Sequence, residues 1–393
     1  MRILCVHNQF RKFAGSDTVA AADAQLLERH AEVTTYTRNS NEVTQASGFA
    51  KLQVAVDTLY SQRTVREITG VVEDFRPDIA YVHNVFPLIS PSLYHVLHRL
   101  RIPSVHILHD FRLWCANSRF YVNNQVCESC KLGNYWGAIQ KRCVQQNLAY
   151  SALYATSLYA NRKMGLLDNI GGYICLTDFA KNVLVQAKVQ ESKIYVCPNH
   201  IDTTLFTPKS GTGQYALYLG GLYRDKGVLT VVKAFAKLPH IPLRVVGTGD
   251  AEQEVRDFIA TQRLSNIELV GFQSGREKQE SLANSLFTIV ASHCYENFPL
   301  VVLEAFSSGK PVIASSIGAL PYIVEHQKTG LLFEPQNSDD LAEKVRWLCD
   351  RPAEIDSMGR QARATVEEKY DINLRYNALS SIFTKVIESA RWN

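Results

Sequence analysis

Twelve short apolar runs recur along the chain, with helical stretches between them. In the first half they are Ile3–His7, Glu32–Thr37, Asp78–His83, Ser104–His109, Tyr173–Thr177 and Ile194–Cys197. In the second half they are Tyr215–Leu219, Leu243–Gly247, Ile267–Val270, Phe287–Ala291, Pro311–Ser315 and Gly330–Phe333. Runs such as YALYLG and PVIAS are apolar throughout, as strands covered on both faces are. Alternating β and α elements predict parallel sheets with right-handed crossovers. Two such series predict two doubly wound α/β domains. The stretch PNHIDTTLFTPKSGTGQ, punctuated by Pro198, Pro208, Gly211 and Gly213, reads as the join. The expected domains are 1–205 and 206–372, followed over 373–393 by a long amphipathic helix, Asn373–Arg391, with no strand after it. Ligands of doubly wound domains sit at the carboxyl ends of strands, so the informative residues should fall just after them.

Composition narrows the function classes. The 393 residues are 46% hydrophobic and 20% charged, a soluble globular composition with length for two cores. No apolar run approaches the roughly 18 residues that span a bilayer. The start, MRILCVHNQF, is broken by His7 and Asn8 and reads as a first buried strand, not a signal peptide. Of the net charge of +4, residues 1–205 carry +5 and the remainder −1. That asymmetry suits an anionic acceptor or a membrane surface, and equally suits ordinary charge scatter. There is no dense Lys/Arg run and no nucleic-acid motif, which argues against DNA or RNA.

Nine cysteines without an export signal point to reduced, cytosolic thiols. Cys115, Cys127, Cys130 and Cys143 form C-x11-C-x2-C-x12-C. This is metal-ligand spacing and suits a structural tetrahedral zinc, whose four protein ligands would leave no open position for catalysis. Four free or partly buried thiols are the other reading.

Strand YALYLG runs into Gly220-Gly221-Leu222-Tyr223-Arg224-Asp225-Lys226-Gly227 and then the helical VLTVVKAFAKL. Glycines admit close backbone approach, a helix N-terminus favours anions, and Lys226 stands there as a cation suited to phosphate. A plain turn with a solvated lysine accounts for the same residues. Strand FTIVA leads into SHCYENFPLVVLEAF, with Pro299 expected as the first helical residue. Glu296 then lies in the loop and Glu304 about a turn and a half inside the helix, with the amides of Asn297, Phe298 and Leu300 between them. Such a carboxylate pair can accept hydrogen bonds from two separated hydroxyl sets. One capping and one solvated glutamate is the alternative, weakened by the Val, Leu, Ala and Phe around Glu304, where an unpaired carboxylate is costly.

The combination Gly220…Lys226-Gly227, Glu296-x7-Glu304, SSGKPVIASSIGALPYIV and TGLLF resembles the retaining glycosyltransferases of family GT4. PLISPSLYHVL, LHDFRLWCANSRFY, CESC and PNHID in the first half resemble a bacterial polysaccharide-type branch. The resemblance implies the GT-B fold, two Rossmann-like domains facing across a cleft, with the C-terminal helix crossing back to the first domain. It implies that Lys226 binds the donor diphosphate, that Glu304 holds the nucleotide ribose and that Glu296 holds donor-sugar hydroxyls. Asn297, Phe298, Pro299 and Leu300 would cradle sugar and phosphate. Backbone at Val270, Gly271 and Phe272 would meet the base, and Gly247 would line the same cleft. Where the family usually has Arg after the first glycine of the turn, this chain has Gly221; Arg224 is the candidate to compensate.

Gly15, in RKFAGSDTV, stands where the family commonly has a Gly-Gly pair near donor phosphates; here the pair is Ala14-Gly15. Ser16 or Asp17 as helix cap is the alternative. His109, at the end of PSVHILH, is implied to approach the donor sugar. His83-Asn84 is a second candidate, and His106 reads as structural.

The implied reaction moves a hexose, by family frequency glucose from UDP-glucose, to a saccharide or lipid-linked acceptor with retention, His109, Lys226 and Glu296 filling the catalytic roles. No cofactor is required and no divalent metal is expected, since cations of the chain face the leaving diphosphate. The expected location is cytoplasmic, possible contact with the inner membrane face falling on Tyr150–Leu167. A core helix is the other reading of that segment. The rivals are a nicotinamide oxidoreductase, a nucleotide-sugar epimerase or phosphorylase, and a non-catalytic nucleotide-sugar binder. For the first, Gly247-Thr248-Gly249 supplies only part of the dinucleotide fingerprint, Glu252 standing at its third glycine.

Overall fold

In the computed structural model, which describes residues 1–10, 15–45, 49–209 and 213–390, all twelve apolar runs are strands. Ala14, Gly211 and Arg391 lie outside the described residues. The first half supplies β1 (Arg2–Gln9), β2 (Glu32–Asn39), β3 (Ile79–Asn84), β4 (Ser104–Ile107), the short pair β5 (Tyr121–Val122) and β6 (Gln125–Val126), then β7 (Gly172–Cys175) and β8 (Ile194–Val196). The second half supplies β9 (Tyr215–Leu219), β10 (Leu243–Val246), β11 (Ile267–Gly271), β12 (Ser285–Val290), β13 (Val312–Ser315) and β14 (Gly330–Phe333).

The sheets run β2-β1-β3-β4-β7-β8 and β11-β10-β9-β12-β13-β14. Neighbours pair in parallel, Ile3 opposite both Val33 and Ile79, and Val245 opposite both Leu269 and Tyr218. Crossover helices cover the faces, which is why these strands are apolar on both sides. Two Rossmann-like α/β domains result. In each sheet the direction of winding reverses once, between β1 and β3 and between β9 and β12. At such a switch point neighbouring loops diverge and leave a crevice at the strands' carboxyl ends.

Two compact units divide the chain: Met1–Val122, Cys127–Pro198 and Tyr376–Asn393 in one, Asn123–Val126 and Asn199–Arg375 in the other. The change at Pro198 precedes the 205–213 stretch because Asn199 already bonds the Phe298 carbonyl at 3.4 Å and Ile201 bridges to Asp371. The second change falls inside the helix Ile372–Ser389. Beyond it Leu379, Ile382, Phe383 and Val386 are buried, and the Phe383 ring lies 5.2 Å from that of Tyr81 on β3. Burying each such side chain contributes about 1.5–3 kcal/mol. The second unit has its own core around Tyr218, Val231, Phe235, Val245, Phe287, Ile313 and Phe333. Among the described residues no helix is long and apolar enough to cross a membrane.

Candidate active site

In the second unit the loops after β9 and β12 meet at the switch point. The first continues as Arg224–Lys226, a 3-10 turn, and the helix Val228–Phe235; the second leads to the helix Leu300–Ser307. Backbone and side chain of one residue fasten them: the Asp225 carbonyl accepts the His293 N–H at 2.8 Å, and its carboxylate takes the Cys294 thiol at 3.8 Å. Gly227 stands at φ +74°, and a Cβ there would lie 1.8 Å from the Ala291 oxygen, so no larger residue allows this approach. The buried Tyr218 hydroxyl donates to the Gly221 carbonyl at 2.9 Å and pins the loop from below.

The result is an ion pair. Lys226 Nζ donates to Glu296 Oε1 at 2.5 Å, and the Ser292 hydroxyl reaches the same oxygen at 2.5 Å. Burial works against the Lys226 ammonium, but Glu296, Cys294 and Asp225 together outweigh it and hold the group above the ordinary lysine range. Glu304, on the helix beyond, is paired as well: Lys278 of the helix Gly275–Ala283 donates to its Oε1 at 2.7 Å. Pro299 differs from expectation. Its ψ of 119° is extended, so it caps the helix, and Leu300 is the first helical residue.

Arg224 does not join this group. Its guanidinium bonds Glu254 at 2.8 Å and is three-quarters exposed. Gly221 also has a steric partner, since a Cβ there would lie 2.6 Å from the Tyr223 ring. Gly247 donates its N–H to the Gly271 carbonyl at 2.8 Å, and a Cβ on it would lie 1.9 Å from the Gly220 oxygen. Glycine there lets the ends of β9, β10 and β11 converge. Val270 and Gly271 are half-buried and Phe272 is 73% exposed. Asn297 and Phe298 are buried, and the Phe298 ring packs on Tyr370.

In the first unit a histidine cluster lies at the switch point after β1 and β3. His83 Nδ1 and His109 Nε2 are 2.9 Å apart, with near-parallel rings. His7 Nε2 meets Asp17 Oδ1 at 2.7 Å, and its ring lies edge-on to His83. The helix begins at Gly15, so Ser16 and Asp17 lie inside its first turn, and Asp17 serves His7 and the Phe10 N–H rather than a cap. His106 bonds the Tyr94 hydroxyl at 2.7 Å. Burial brings His106 down to about 3. Burial first, then the neighbouring His83 and His7, holds His109 well below the histidine range. Ser16, His83, His109, Asp110 and Arg112 line part of a pocket of about 300 Å³.

Cys115, Cys127, Cys130 and Cys143 line a second pocket, of about 270 Å³. All four are free thiols, and among the described residues no three His, Cys, Asp or Glu side chains are arranged to hold a metal ion. The sulfurs have other partners: Lys141 and Ser129 on Cys127, each at 3.2 Å, and Asn117 on Cys115 at 3.0 Å. Burial pushes Cys115 up to about 11 and Cys130 up to about 12.

Comparison with known proteins accords with this geometry. Residues 15–205 match the model for Glycosyltransferase Family 4, and residues 206–365 match that for Glycosyl transferases group 1. The chain belongs to glycosyltransferase family 4. Its curated relatives include an uncharacterized glycosyltransferase of Methanocaldococcus jannaschii, 27% identical over 48% of this chain and 53% of the relative. Another is the glycogen synthase of Mycobacterium tuberculosis, 29% identical over 49% of this chain and 48% of the relative. The match thus spans about half the length of each. Among solved structures, HepE of Anabaena in complex with UDP has TM-score 0.69 at 19% identity, covering 98% of this chain and 100% of that one. Sucrose-phosphate synthase of Thermosynechococcus elongatus has TM-score 0.72 at 18% identity, covering 99% of each. At such identities the likeness shows the fold, that of GT-B glycosyltransferases.

For this family 4 chain, sequence reasoning singled out Lys226, Glu296, Glu304 and His109 and passed over four residues that the structure brings to the same loops. Tyr218 sits in a strand that reads as core. Ser292 and Asp225 look like ordinary loop residues. Lys278 lies in GREKQESLA, which reads as a solvated helix, and only the folded chain brings it to Glu304. The lysine of SSGKPV supports the fold instead, since Lys310 is buried and donates to the Lys209 carbonyl at 2.9 Å.

Proposed function

We propose that this family 4 chain transfers a hexose from a nucleoside diphosphate sugar to an acceptor hydroxyl, with retention at the anomeric carbon. The observation that carries this is the Lys226–Glu296 pair at the β9/β12 switch point, with Glu304 one E-x7-E spacing along. The donor diphosphate takes Lys226 from Glu296, and the released carboxylate takes hydroxyls of the sugar. Asn297, Phe298, Pro299 and Leu300 cradle sugar and phosphate, Glu304 receives the ribose, and Gly247, Val270, Gly271 and Phe272 border the base. His109 is assigned to the donor sugar and Gly15 to the donor phosphates. The acceptor oxygen bonds to the anomeric carbon as the bond to the diphosphate breaks. The leaving phosphate oxygen takes the acceptor proton on the same face. Lys226 stabilises the charge that builds there, a kind of contact worth roughly 10²–10³-fold in rate. UDP-glucose is the proposed donor, supported by the fold shared with HepE of Anabaena, solved with UDP and with UDP-glucose.

The acceptor is proposed to be a saccharide or lipid-linked saccharide at the inner membrane face. The helix Leu148–Lys163 supports a peripheral contact, since it exposes Leu148, Tyr150 and Tyr159 and ends in Arg162 and Lys163. A dinucleotide at Gly247-Thr248-Gly249 is disfavoured, because the helix Glu252–Thr261 puts Glu252 and Glu254 in the turn where a pyrophosphate would sit.

Thermal shift with UDP, GDP, ADP, their glucose conjugates and NADH, without added metal, tests the reading. A ligand at a hundred times its Kd stabilises by about 2.7 kcal/mol. A shift with one nucleotide, lost in Lys226→Ala and Glu304→Ala, is expected. A shift with NADH alone, or one indifferent to both substitutions, overturns it.

A further inference from the structure

Glu304 is enclosed by its own helix: Val302, Leu303, Ala305 and Phe306 are fully buried, and its side chain is 14% exposed. Lys278 approaches it from another element. The helix Gly275–Ala283 leads from β11, an edge strand, to β12, and its Ser281 carbonyl accepts the hydroxyl of Tyr215 on β9 at 3.1 Å. This path carries Lys278 over the carboxyl ends of the strands to Glu304 Oε1 at 2.7 Å, with its own side chain 28% exposed. The pair is thus one half-enclosed, charge-assisted hydrogen bond on one of the two carboxylate oxygens. A carboxylate offers about four lone-pair sites and Lys278 engages one. Oε2 can still accept a further donor, and the contact to Oε1 narrows how the carboxylate can turn. A group held in this way binds a hydroxyl pair at lower entropic cost than a freely turning one.

We propose that Lys278 is a positioning residue for the nucleotide ribose: it fixes the Glu304 carboxylate so that the remaining lone pairs meet the 2′- and 3′-hydroxyls. This rests on the proposed reading of the second unit as a nucleoside diphosphate sugar site. Lys278 and Lys226 therefore have opposite fates on binding. Lys226 leaves its glutamate for the diphosphate, whereas Lys278 keeps its own.

Isothermal titration of the full chain with UDP, GDP and ADP, each against its 2′-deoxy form, tests this. The wild type is expected to prefer the ribonucleotide about tenfold. Lys278→Met should weaken that ribonucleotide about tenfold and the deoxy form, which keeps only the 3′-hydroxyl contact, several-fold less, so the ratio falls toward one. Lys278→Arg should restore most of the ratio. Glu304→Gln combined with Lys278→Met should cost little more than either alone, as coupled neighbours do. A lysine that only stabilises the fold would lower the melting temperature without moving the ratio. A wild-type ratio in Lys278→Met, or tighter ribonucleotide binding by that variant, overturns the inference while leaving the donor reading intact. Wild-type protein that binds none of the nucleotides overturns both.

Discussion

At the scale of the residue, each carboxylate of the E-x7-E element has its own lysine, and on the proposed function only the Lys226–Glu296 pair exchanges partners. On that proposal the Lys226–Glu296 pair opens before the ammonium reaches a phosphate, and the sugar hydroxyls replace what Glu296 gives up. The thiol cluster obeys the same local electrostatics. Burial raises Cys127, but hydrogen bonds from Ser129 and Lys141 outweigh it and hold the thiol below its ordinary value, whereas burial dominates at Cys115 and Cys130. The thiolate is the reactive form. Iodoacetamide at pH 7.5 should therefore label Cys127 before Cys115 or Cys130 in a peptide map, and Lys141→Ala should slow that labelling several-fold. Equal labelling of the three would show that Lys141 does not act on the sulfur.

At the scale of the element, the Gly220–Gly227 loop is a fitted part. The Tyr223 ring occupies the space into which a side chain at Gly221 would emerge. Gly221→Arg alone should displace that ring and lower the melting temperature by a few degrees, with no gain in UDP affinity. Gly221→Arg with Tyr223→Ala has room for the guanidinium and should bind UDP more tightly than Tyr223→Ala alone. Isothermal titration separates the two. The central sheet strands were legible because parallel strands buried on both faces are written as unbroken apolar runs such as YALYL and PVIAS, whereas the edge strands β2, β8 and β11 are partly exposed, and β2 and β11 carry polar residues. The β5/β6 pair was not legible, since Tyr121–Val126 is short, half-exposed and without alternation. Glu296 and Glu304 were legible because their spacing is local. Lys278–Glu304 and His83–His109 are pairings 26 residues apart that no local pattern encodes. The cysteine spacing is local, and all four line one pocket, but it carries no side-chain direction and does not encode Lys141 and Ser129 on Cys127 or Asn117 on Cys115.

At the scale of the whole molecule, buried histidines link stability to pH. His106 falls to about 3 in the folded chain against about 6.5 when unfolded. Between those values the unfolded state binds a proton that the folded state does not. This contribution is whole above about pH 6.5 and is lost as pH falls toward about 3, at roughly 1.4 kcal/mol per pH unit. His109, displaced in the same direction, adds to it. Unfolding free energy from urea titrations should fall from pH 7 to pH 5, and His106→Gln should flatten the slope by about one proton. An unchanged slope would remove His106 as a titrating group.

The crossings of the chain after Pro198 and after Arg375 set an order of events during synthesis. Residues 199–375 are contiguous and hold a complete sheet, so the second unit can mature as soon as they leave the ribosome. The first unit begins earlier and finishes later. Val386 stands within 2.9 Å of where Cβ atoms on Gly171 and Gly172 would lie, and Phe383 closes on Tyr81. Until that last helix emerges, the oldest sheet keeps an apolar face uncovered. The unit that begins before residues 199–375 is thus covered only after them.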